Sequence, residues 1–199
     1  MSFPETSSLI TTLNKLCELL SQGSHHGYIV GGFIRDWLLG RQTNDVDIAV
    51  NGDAISIAGD VAKKLGGKFV LLDEANGIAR VVVTRGCFAT RAMTLNKGEE
   101  WHLDFSSFNG DIKSDLARRD FTINAMAMEL GQLNFIANAA KQSQIKLFDP
   151  FSGRKDLENR IVRAVSDQIF EADAVRLLRA VRLVAELDFA IEPETESLI

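Results

Sequence analysis

Residues 28–36 read Tyr28-Ile29-Val30-Gly31-Gly32-Phe33-Ile34-Arg35-Asp36, and residues 45–50 read Asp45-Val46-Asp47-Ile48-Ala49-Val50. Three apolar residues before a glycine pair predict a short buried strand that ends in a tight turn. The turn leads into a helix predicted over residues 33–39, and a second strand is predicted over residues 46–50. The two stretches together predict a strand, a turn, a helix and a strand, which indicates a sheet with helices packed on it.

The glycine pair Gly31-Gly32, followed by Arg35, is a candidate phosphate-binding turn. Glycine lets a ligand approach the backbone closely, and the N-terminus of the next helix offers unpaired N–H groups and a positive dipole end. Arg35 adds a fixed positive charge with several donors. The alternative is a plain tight turn in which Arg35 pairs with Asp36. The stretch matches neither G-x-G-x-x-G nor the G-K-[ST] of a P-loop.

Asp45 and Asp47 enter the second strand together. Side chains alternate along a strand, so these two carboxylates share one face while their apolar neighbours take the other. Adjacent anions repel each other, and two oxygen ligands with room for water and substrate phosphates are typical of a Mg²⁺ site. Asp104, in the middle of an apolar strand, is a candidate third acid. A solvated turn at 45–47 and an edge-strand role for Asp104 are the alternatives.

A third candidate segment reads Asp115-Leu116-Ala117-Arg118-Arg119-Asp120-Phe121-Thr122-Ile123-Asn124-Ala125. It combines two adjacent arginines with acids on either side and with Thr122 and Asn124, both of which are good helix caps. A charged, capped helix start, in which the arginines pair with Asp115 and Asp120, explains these residues without any ligand. From the residues alone, the structural and the functional interpretation stay open.

The remaining pattern predicts an α+β fold with a mixed sheet of about five strands and flanking helices. Helices are predicted over residues 6–21 and 53–65 from their apolar periodicity, and the further strands over 68–72, 79–84 and 101–105. After residue 114 the pattern is mostly helical, including residues 124–130 and 173–187. A Pro- and Gly-containing joint at 148–153 divides a first domain, 1–150, from the start of a second, helical domain, 151–199.

Composition limits the compartment and the partners. The 199 residues carry 22 Lys and Arg against 27 Asp and Glu, a net charge of −5. Any surface that binds nucleic acid must therefore be a local basic patch. Residues 154–182 contain the densest arginine pattern. Cys17 and Cys87 have no metal-ligand spacing and are predicted to be reduced thiols, which indicates a cytoplasmic protein. No apolar run is long enough to cross a membrane.

Three ordered motifs resemble those of class II tRNA nucleotidyltransferases and the related bacterial poly(A) polymerases. They are Gly31-Gly32-x-x-Arg35-Asp36 with Asp45-x-Asp47, then Arg118-Arg119-Asp120-Phe121-Thr122-x-Asn124-Ala125, then Asp173-x-x-Arg176-x-Leu178-Arg179-Ala180-x-Arg182. The resemblance extends from about residue 26 to residue 190. It implies a head domain with the polymerase-β-like nucleotidyltransferase fold, followed by the beginning of a helical neck domain that is expected to be truncated.

The resemblance also implies a role for each matching residue. The residues expected to act in catalysis and to hold Mg²⁺ are Asp45, Asp47 and Asp104. The residues expected to bind the nucleotide are Gly31, Gly32, Arg35, Arg118, Arg119, Asp120, Asn124, Asp173, Arg176 and Arg179. Within this set, the glycines and Arg35 are expected at the triphosphate, and Asp120 is expected at the ribose.

The implied reaction is template-independent addition of C, A or both to a tRNA 3′ end, with CTP or ATP as donor and pyrophosphate as the leaving product. Relatives that build the whole CCA end carry a long flexible loop between the third-acid strand and the Arg-Arg-Asp motif. Only residues 105–114 separate Asp104 from Asp115 here, which favours CC addition, unless residues 84–100 supply the loop. Poly(A) synthesis, or a nucleotide-binding head without polymerising activity, is the alternative. The base-selecting acidic-x-x-Arg element and most of the RNA-binding surface are expected beyond residue 199.

Overall fold

A central six-stranded sheet organises the protein, whose computed structural model describes residues 7–84, 100–132 and 145–199. Its strands lie in the spatial order β3-β4-β5-β2-β1-β6. They are β1 (Gly27–Val30), β2 (Asp45–Val50), β3 (Lys68–Asp73), β4 (Ile78–Thr84), β5 (Glu100–Ser107) and β6 (Ala127–Glu129). Neighbouring strands are antiparallel except β2 and β5, which run parallel, so the sheet is mixed as the sequence predicts.

The helices of the described residues flank this sheet and then form the C-terminal part of the chain. They are α1 (Ser7–Gln22), α2 (Gly32–Leu38), α3 (Ala54–Leu65), α4 (Ile112–Ala117), α5 (Gly153–Asn159), α6 (Ile169–Ala172), α7 (Val175–Leu187) and α8 (Pro193–Glu196). A short parallel pair, β7 (Ile161–Val162) with β8 (Ala190–Ile191), lies among the last four helices. None of the described helices is long and apolar enough to cross a membrane.

Strand alternation assigns the two faces of the sheet to different tasks. Val46, Ile48 and Val50 of β2 are fully buried in the main core, together with the apolar faces of α1 and α3. Burial of such side chains stabilises the fold by roughly 1.5–3 kcal/mol each. Asp45 and Asp47 point to the opposite face, where a smaller apolar cluster joins the sheet to α4. The core therefore fixes β2 in the register that presents both acids together.

Helix α3 begins and ends almost where the sequence predicts. Asp53 caps its N-terminus by accepting a hydrogen bond from the Ile55 N–H at 3.0 Å. Gly66 ends the helix in the left-handed conformation, with φ of 66°. Local signals are sufficient here because cap, periodicity and terminating glycine all agree.

The prediction of a helix over residues 124–130 is wrong. The chain makes a single 3-10 turn at Thr122–Asn124 and then forms β6, which pairs antiparallel with β1. Met126, Ala127 and Met128 are all fully buried, so this apolar run is enclosed on both faces of a strand. Alanine and methionine favour helices locally, but pairing with β1 and burial on two faces override that preference.

The chain after residue 150 is tied to the third candidate segment through the backbone. The Thr122 N–H donates to the Arg163 carbonyl at 2.9 Å, and the Val165 N–H donates to the Asp120 carbonyl at 3.1 Å. Apolar residues of α5, α6 and α7, among them Leu157, also join the main core. The division into residues 1–150 and 151–199 stays a prediction.

Candidate nucleotide and metal site

Three acids line one face of the sheet on adjacent parallel strands. Asp45 and Asp47 lie on β2, and the β2–β5 register places Asp47 beside Asp104 and Asp45 beside His102. The Asp45 side chain is 61% exposed, and its Oδ1 lies 2.9 Å from His102 Nδ1. The structure therefore brings the three predicted acids to one place.

Asp104 has a partner that the sequence analysis did not identify. Arg80 of β4 lies directly opposite it in the antiparallel register. Arg80 Nε donates to one carboxylate oxygen at 2.6 Å, and its Nη2 donates to the other at 2.7 Å. Both oxygens of Asp104 are thus engaged by a guanidinium group.

The glycine turn closes directly over Asp47. Gly31 has φ of 72° and precedes the first turn of α2, a conformation that side chains other than glycine rarely adopt. A Cβ atom at Gly31 would collide with the Asp47 carboxylate and would stand 3.1 Å from Arg119 Nη1. Glycine at this position therefore lets the backbone pass close to the acid and leaves the carboxylate accessible.

The environment of Asp47 opposes its ionisation. Burial raises the pKa of Asp47 above its ordinary value, and the negative charges of Asp104 and Asp45 raise it further. The positive charge of Arg119 and the backbone N–H of Gly32 act in the opposite direction without cancelling the effect. A cation bound beside Asp47 would relieve this cost.

A buried carboxylate orients the two adjacent arginines. Asp115 of α4 has a side chain with no exposed area; one oxygen accepts from Arg118 Nε at 2.9 Å, and the other accepts from Arg119 Nη2 at 3.0 Å. The spacings of three and four residues place both arginines on the same side of the helix end as Asp115. The pairing with Asp115 expected in the structural interpretation of this segment is thus present, and it also directs Arg119 toward Asp47. The expected partner of Asp120 is different, because Asp120 pairs with Arg179 instead.

A polar network connects Arg35 with Asp120. Arg35 Nη1 donates to Asn124 Oδ1 at 2.9 Å, and Asn124 Nδ2 donates to Asp120 Oδ1 at 3.2 Å. The other oxygen of Asp120 accepts from Arg179 Nε of α7 at 2.7 Å. Arg35 also binds Asp36 through two bonds of 3.0 and 2.9 Å, so the pairing expected for a plain turn is present together with the network.

A cleft of about 540 Å³ lies between the sheet and α7. The residues predicted to bind the nucleotide all line it: Gly31, Gly32, Arg35, Arg118, Arg119, Asp120, Asn124, Asp173, Arg176 and Arg179. Asp47 also lines the cleft, and Asp45 and Asp104 neighbour it on the same face of the sheet. The motifs that are far apart in sequence therefore meet around one cavity.

Two residues of the third motif take their positions from the start of α7. The exposed Asp173 accepts a hydrogen bond from the Val175 N–H at 2.9 Å and so caps the helix. Arg176 donates to two backbone carbonyls, those of Ile169 at 3.3 Å and Arg118 at 2.9 Å. These bonds hold Arg176 across the junction between α4 and α7.

The donor set fits a divalent cation held by two acids. Asp45 and Asp47 supply carboxylate oxygens on one face, which is the ligand chemistry that Mg²⁺ prefers, and the raised pKa of Asp47 marks a negative charge that lacks full compensation. Among residues 7–84, 100–132 and 145–199, no group of three or more His, Cys, Asp or Glu side chains is placed to hold a metal ion. Asp104, the expected third acid, is engaged by Arg80 instead.

The sequence analysis did not identify several residues of the site. The cleft lining also includes Ile78, Ser106, Val175 and Arg182. Arg80 was signalled only by its position as a charged residue inside the apolar strand Ala79-Arg80-Val81-Val82-Val83. Cys87 and most of the alternative loop at 84–100 lie outside the described residues, whereas Cys17 is a free thiol.

Comparison with known proteins agrees with these motifs. The sequence profile of a family described as the Poly A polymerase head domain matches residues 27–163, more than half of the chain. A CC-adding tRNA nucleotidyltransferase of Geobacter sulfurreducens is 39% identical over 185 residues, which cover 92% of this chain and 37% of that protein. An A-adding tRNA nucleotidyltransferase of Deinococcus radiodurans is 36% identical over 171 residues, covering 86% of this chain and 33% of that protein.

A solved structure resembles the chain throughout most of its length. The Thermotoga maritima CCA-adding enzyme, determined in complex with tRNA, matches with a TM-score of 0.73 and 33% identity. The match covers 96% of this chain and 41% of that one. The chain thus spans between one third and about two fifths of the length of these relatives.

Proposed function

The chain belongs to the family of the Poly A polymerase head domain, and we propose that it forms the catalytic head of a template-independent tRNA nucleotidyltransferase. The observation that carries the proposal is the cleft, in which the glycine turn, the paired arginines and α7 surround Asp47. In the proposed reaction the 3′-hydroxyl of the RNA attacks the α-phosphorus of a nucleoside triphosphate. The hydroxyl proton and pyrophosphate are released.

We assign the metal site to Asp45 and Asp47, with Mg²⁺ as the expected ion. A bound divalent cation would lower the pKa of the attacking hydroxyl and neutralise the charge that develops on the phosphates. The side chains of this chain would supply the rest of the neutralisation. Arg119, held by buried Asp115, and Arg35, held by Asp36 and Asn124, are fixed cations that need no rearrangement when the triphosphate enters.

The ribose and the base would be bound by the two acids nearest to α7. Asp120 is buried, and its hydrogen bonds to Asn124 and Arg179 fix its position before a nucleotide arrives. Asp173 and Arg176 have the acidic-x-x-Arg spacing that was expected beyond residue 199, and both line the cleft. A carboxylate acceptor and a guanidinium donor that line the same cleft match the edge of cytosine or adenine, so we propose that this pair faces the base.

For the nucleotide added, we propose CC addition to tRNA, which rests on the short connection between β5 and α4. That connection comprises four residues, because β5 ends at Ser107 and α4 begins at Ile112, with Asp111 as its cap. The A-adding relative keeps A addition as the second candidate. We place the protein in the cytoplasm, where the predicted reduced thiols are stable.

Primer extension tests the proposed function. A labelled tRNA that lacks its terminal CCA is incubated with Mg²⁺ and with each triphosphate separately, using both the 199-residue chain and the full-length protein if it is longer. We expect nucleotide addition that Asp47→Asn abolishes and that Asp60→Asn, an exposed change on α3, leaves intact. Nucleotide binding without any extension by either form would support the alternative of a binding head without polymerising activity.

A further inference from the structure

Arg80 competes with any cation for Asp104. The guanidinium group binds the carboxylate through two nearly parallel bonds of 2.6 and 2.7 Å, the strongest geometry available to an arginine and a carboxylate. The Asp104 side chain is 19% exposed and that of Arg80 is 30% exposed, so water screens the pair only in part. The hydrogen bonds that Arg80 donates to Asp104 raise the pKa of Arg80, which remains a cation throughout the working pH range.

The same guanidinium lies close to the proposed metal ligands. Its Nη2 is 4.0 Å from Asp45 Oδ1, and the charge of Asp47 also acts on it. The three acids carry three negative charges, and Arg80 removes one of them by pairing with Asp104. Of the three acids, only Asp104 receives two hydrogen bonds from one arginine within the described residues. Asp45 and Asp47 do not.

We propose that Arg80 is a positioning residue that keeps Asp104 out of the metal ligand set, so that the divalent cation is held by Asp45 and Asp47 alone. This inference rests on the proposed function, because it takes these two acids as the metal ligands. It explains why the three acids share one face while no three-acid ligand group is formed in the described part of the chain. A weaker, two-carboxylate site suits an ion that must also bind the phosphates of each incoming nucleotide.

The competing explanation is that Asp104 ligates the metal and that Arg80 only orients its carboxylate. The two explanations differ when the whole Arg80–Asp104 pair is removed. If the pair stands outside the ligand set, the double variant Arg80→Gln/Asp104→Asn loses one positive and one negative charge and keeps both ligands. If Asp104 is a ligand, the same double variant loses it.

Binding of Mn²⁺ alone, measured by electron paramagnetic resonance without nucleotide, tests the inference. We expect Arg80→Gln to bind Mn²⁺ more tightly than wild type, because the variant loses a positive charge near Asp45 and releases Asp104. The expected change is about tenfold, the lower end of the size of change, ordinarily a loss of affinity, that follows alteration of a group next to metal ligands. We expect Arg80→Gln/Asp104→Asn to return to within roughly threefold of wild type. The matched control is Lys63→Gln/Asp60→Asn, which removes an equivalent ion pair from the exposed surface of α3.

The outcomes separate the inference from the function on which it rests. A double variant that binds Mn²⁺ at least ~10-fold more weakly than wild type, while remaining folded by circular dichroism, would overturn the role of Arg80. So would an Arg80→Gln variant with unchanged or weaker affinity. If Asp47→Asn binds Mn²⁺ with the same affinity as the wild type, the assignment of the metal site itself is overturned.

Discussion

At the scale of single residues, Asp47 is the position where the fold accepts an electrostatic cost for its site. Burial raises the pKa of Asp47, and its acidic neighbours add to the effect. Between the unfolded and the folded pKa, the folded state therefore binds more protons than the unfolded state, and stability falls as the pH rises through this window. The cost is absent below the unfolded pKa, grows through this window and is complete above the raised pKa.

We predict that Asp47→Asn abolishes nucleotide transfer while the metal-free protein melts at an equal or higher temperature at pH 7. Transfer should fall by at least ~10²-fold, the scale of one lost group that stabilises the transition state. The gain in melting temperature should shrink as the pH approaches about 4, the ordinary range for an aspartate. Calorimetry with a chelator present measures the melting temperatures of the variant and the wild type at both pH values. Asp45→Asn, which removes the same charge at a 61% exposed side chain, should show a smaller gain.

A second residue-scale prediction concerns Asp120 and the sugar. If its carboxylate accepts a hydrogen bond from the ribose 2′-hydroxyl, Asp120→Ala should reduce the preference for ribonucleotides over deoxyribonucleotides by roughly 1–3 kcal/mol. Competitive binding of CTP and dCTP gives this ratio directly. Asp53→Ala, which removes the cap of α3 away from the cleft, serves as the control. An unchanged ratio in the Asp120 variant would remove the residue from the sugar site.

At the scale of elements, α4 serves mainly to position arginines. Its six residues are capped by exposed Asp111, while buried Asp115 holds the two arginines that follow. We predict that Asp115→Ala lowers the free energy of unfolding by at most ~3 kcal/mol, since both arginines retain some contact with water. Asp111→Ala should cost about 1 kcal/mol, the usual value of a lost cap. Urea denaturation measures both values.

The same pair of variants separates stability from function. We expect Asp115→Ala to weaken nucleotide binding, because Arg119 loses the acceptor that directs it toward Asp47. Asp111→Ala should leave the affinity near that of wild type, since its side chain contacts Ser114 and not the arginines. Equal affinities in the two variants would show that Asp115 contributes to folding alone.

Elements were predictable where local and long-range preferences agree. Helix α3 has a cap, an amphipathic face and a terminating glycine, and its bounds agree with the prediction to within one residue. Strand β6 was predicted as helix because its Ala and Met residues favour a helix locally, and only pairing with β1 makes it a strand. The position of Arg80 opposite Asp104 depends on the register between two strands joined by 15 residues, which the sequence pattern does not encode.

At the scale of the whole molecule, a protein with a net charge of −5 forms a cleft lined by arginines. The arginine-rich stretch of residues 154–182 contributes only part of this charge, through Arg176, Arg179 and Arg182 of α7. The remaining cleft arginines come from α2 and from the end of α4. Positive charge is thus concentrated where a triphosphate would lie, and the acidic remainder of the surface does not oppose its binding at short range.

The last prediction is that the full-length protein adds two C residues to tRNA and stops before the terminal A. The four-residue connection from β5 to capped α4 spans the gap with little slack, so it is too short to act as a mobile lever that would switch the base-reading pair from CTP to ATP. A tRNA lacking CCA should gain two nucleotides with CTP, and a tRNA already ending in CC should gain none with ATP. Asp47→Asn provides the blank for both assays. Efficient incorporation of ATP onto the CC-ending tRNA would refute CC-only addition and would direct attention to residues 84–100 as the source of the loop.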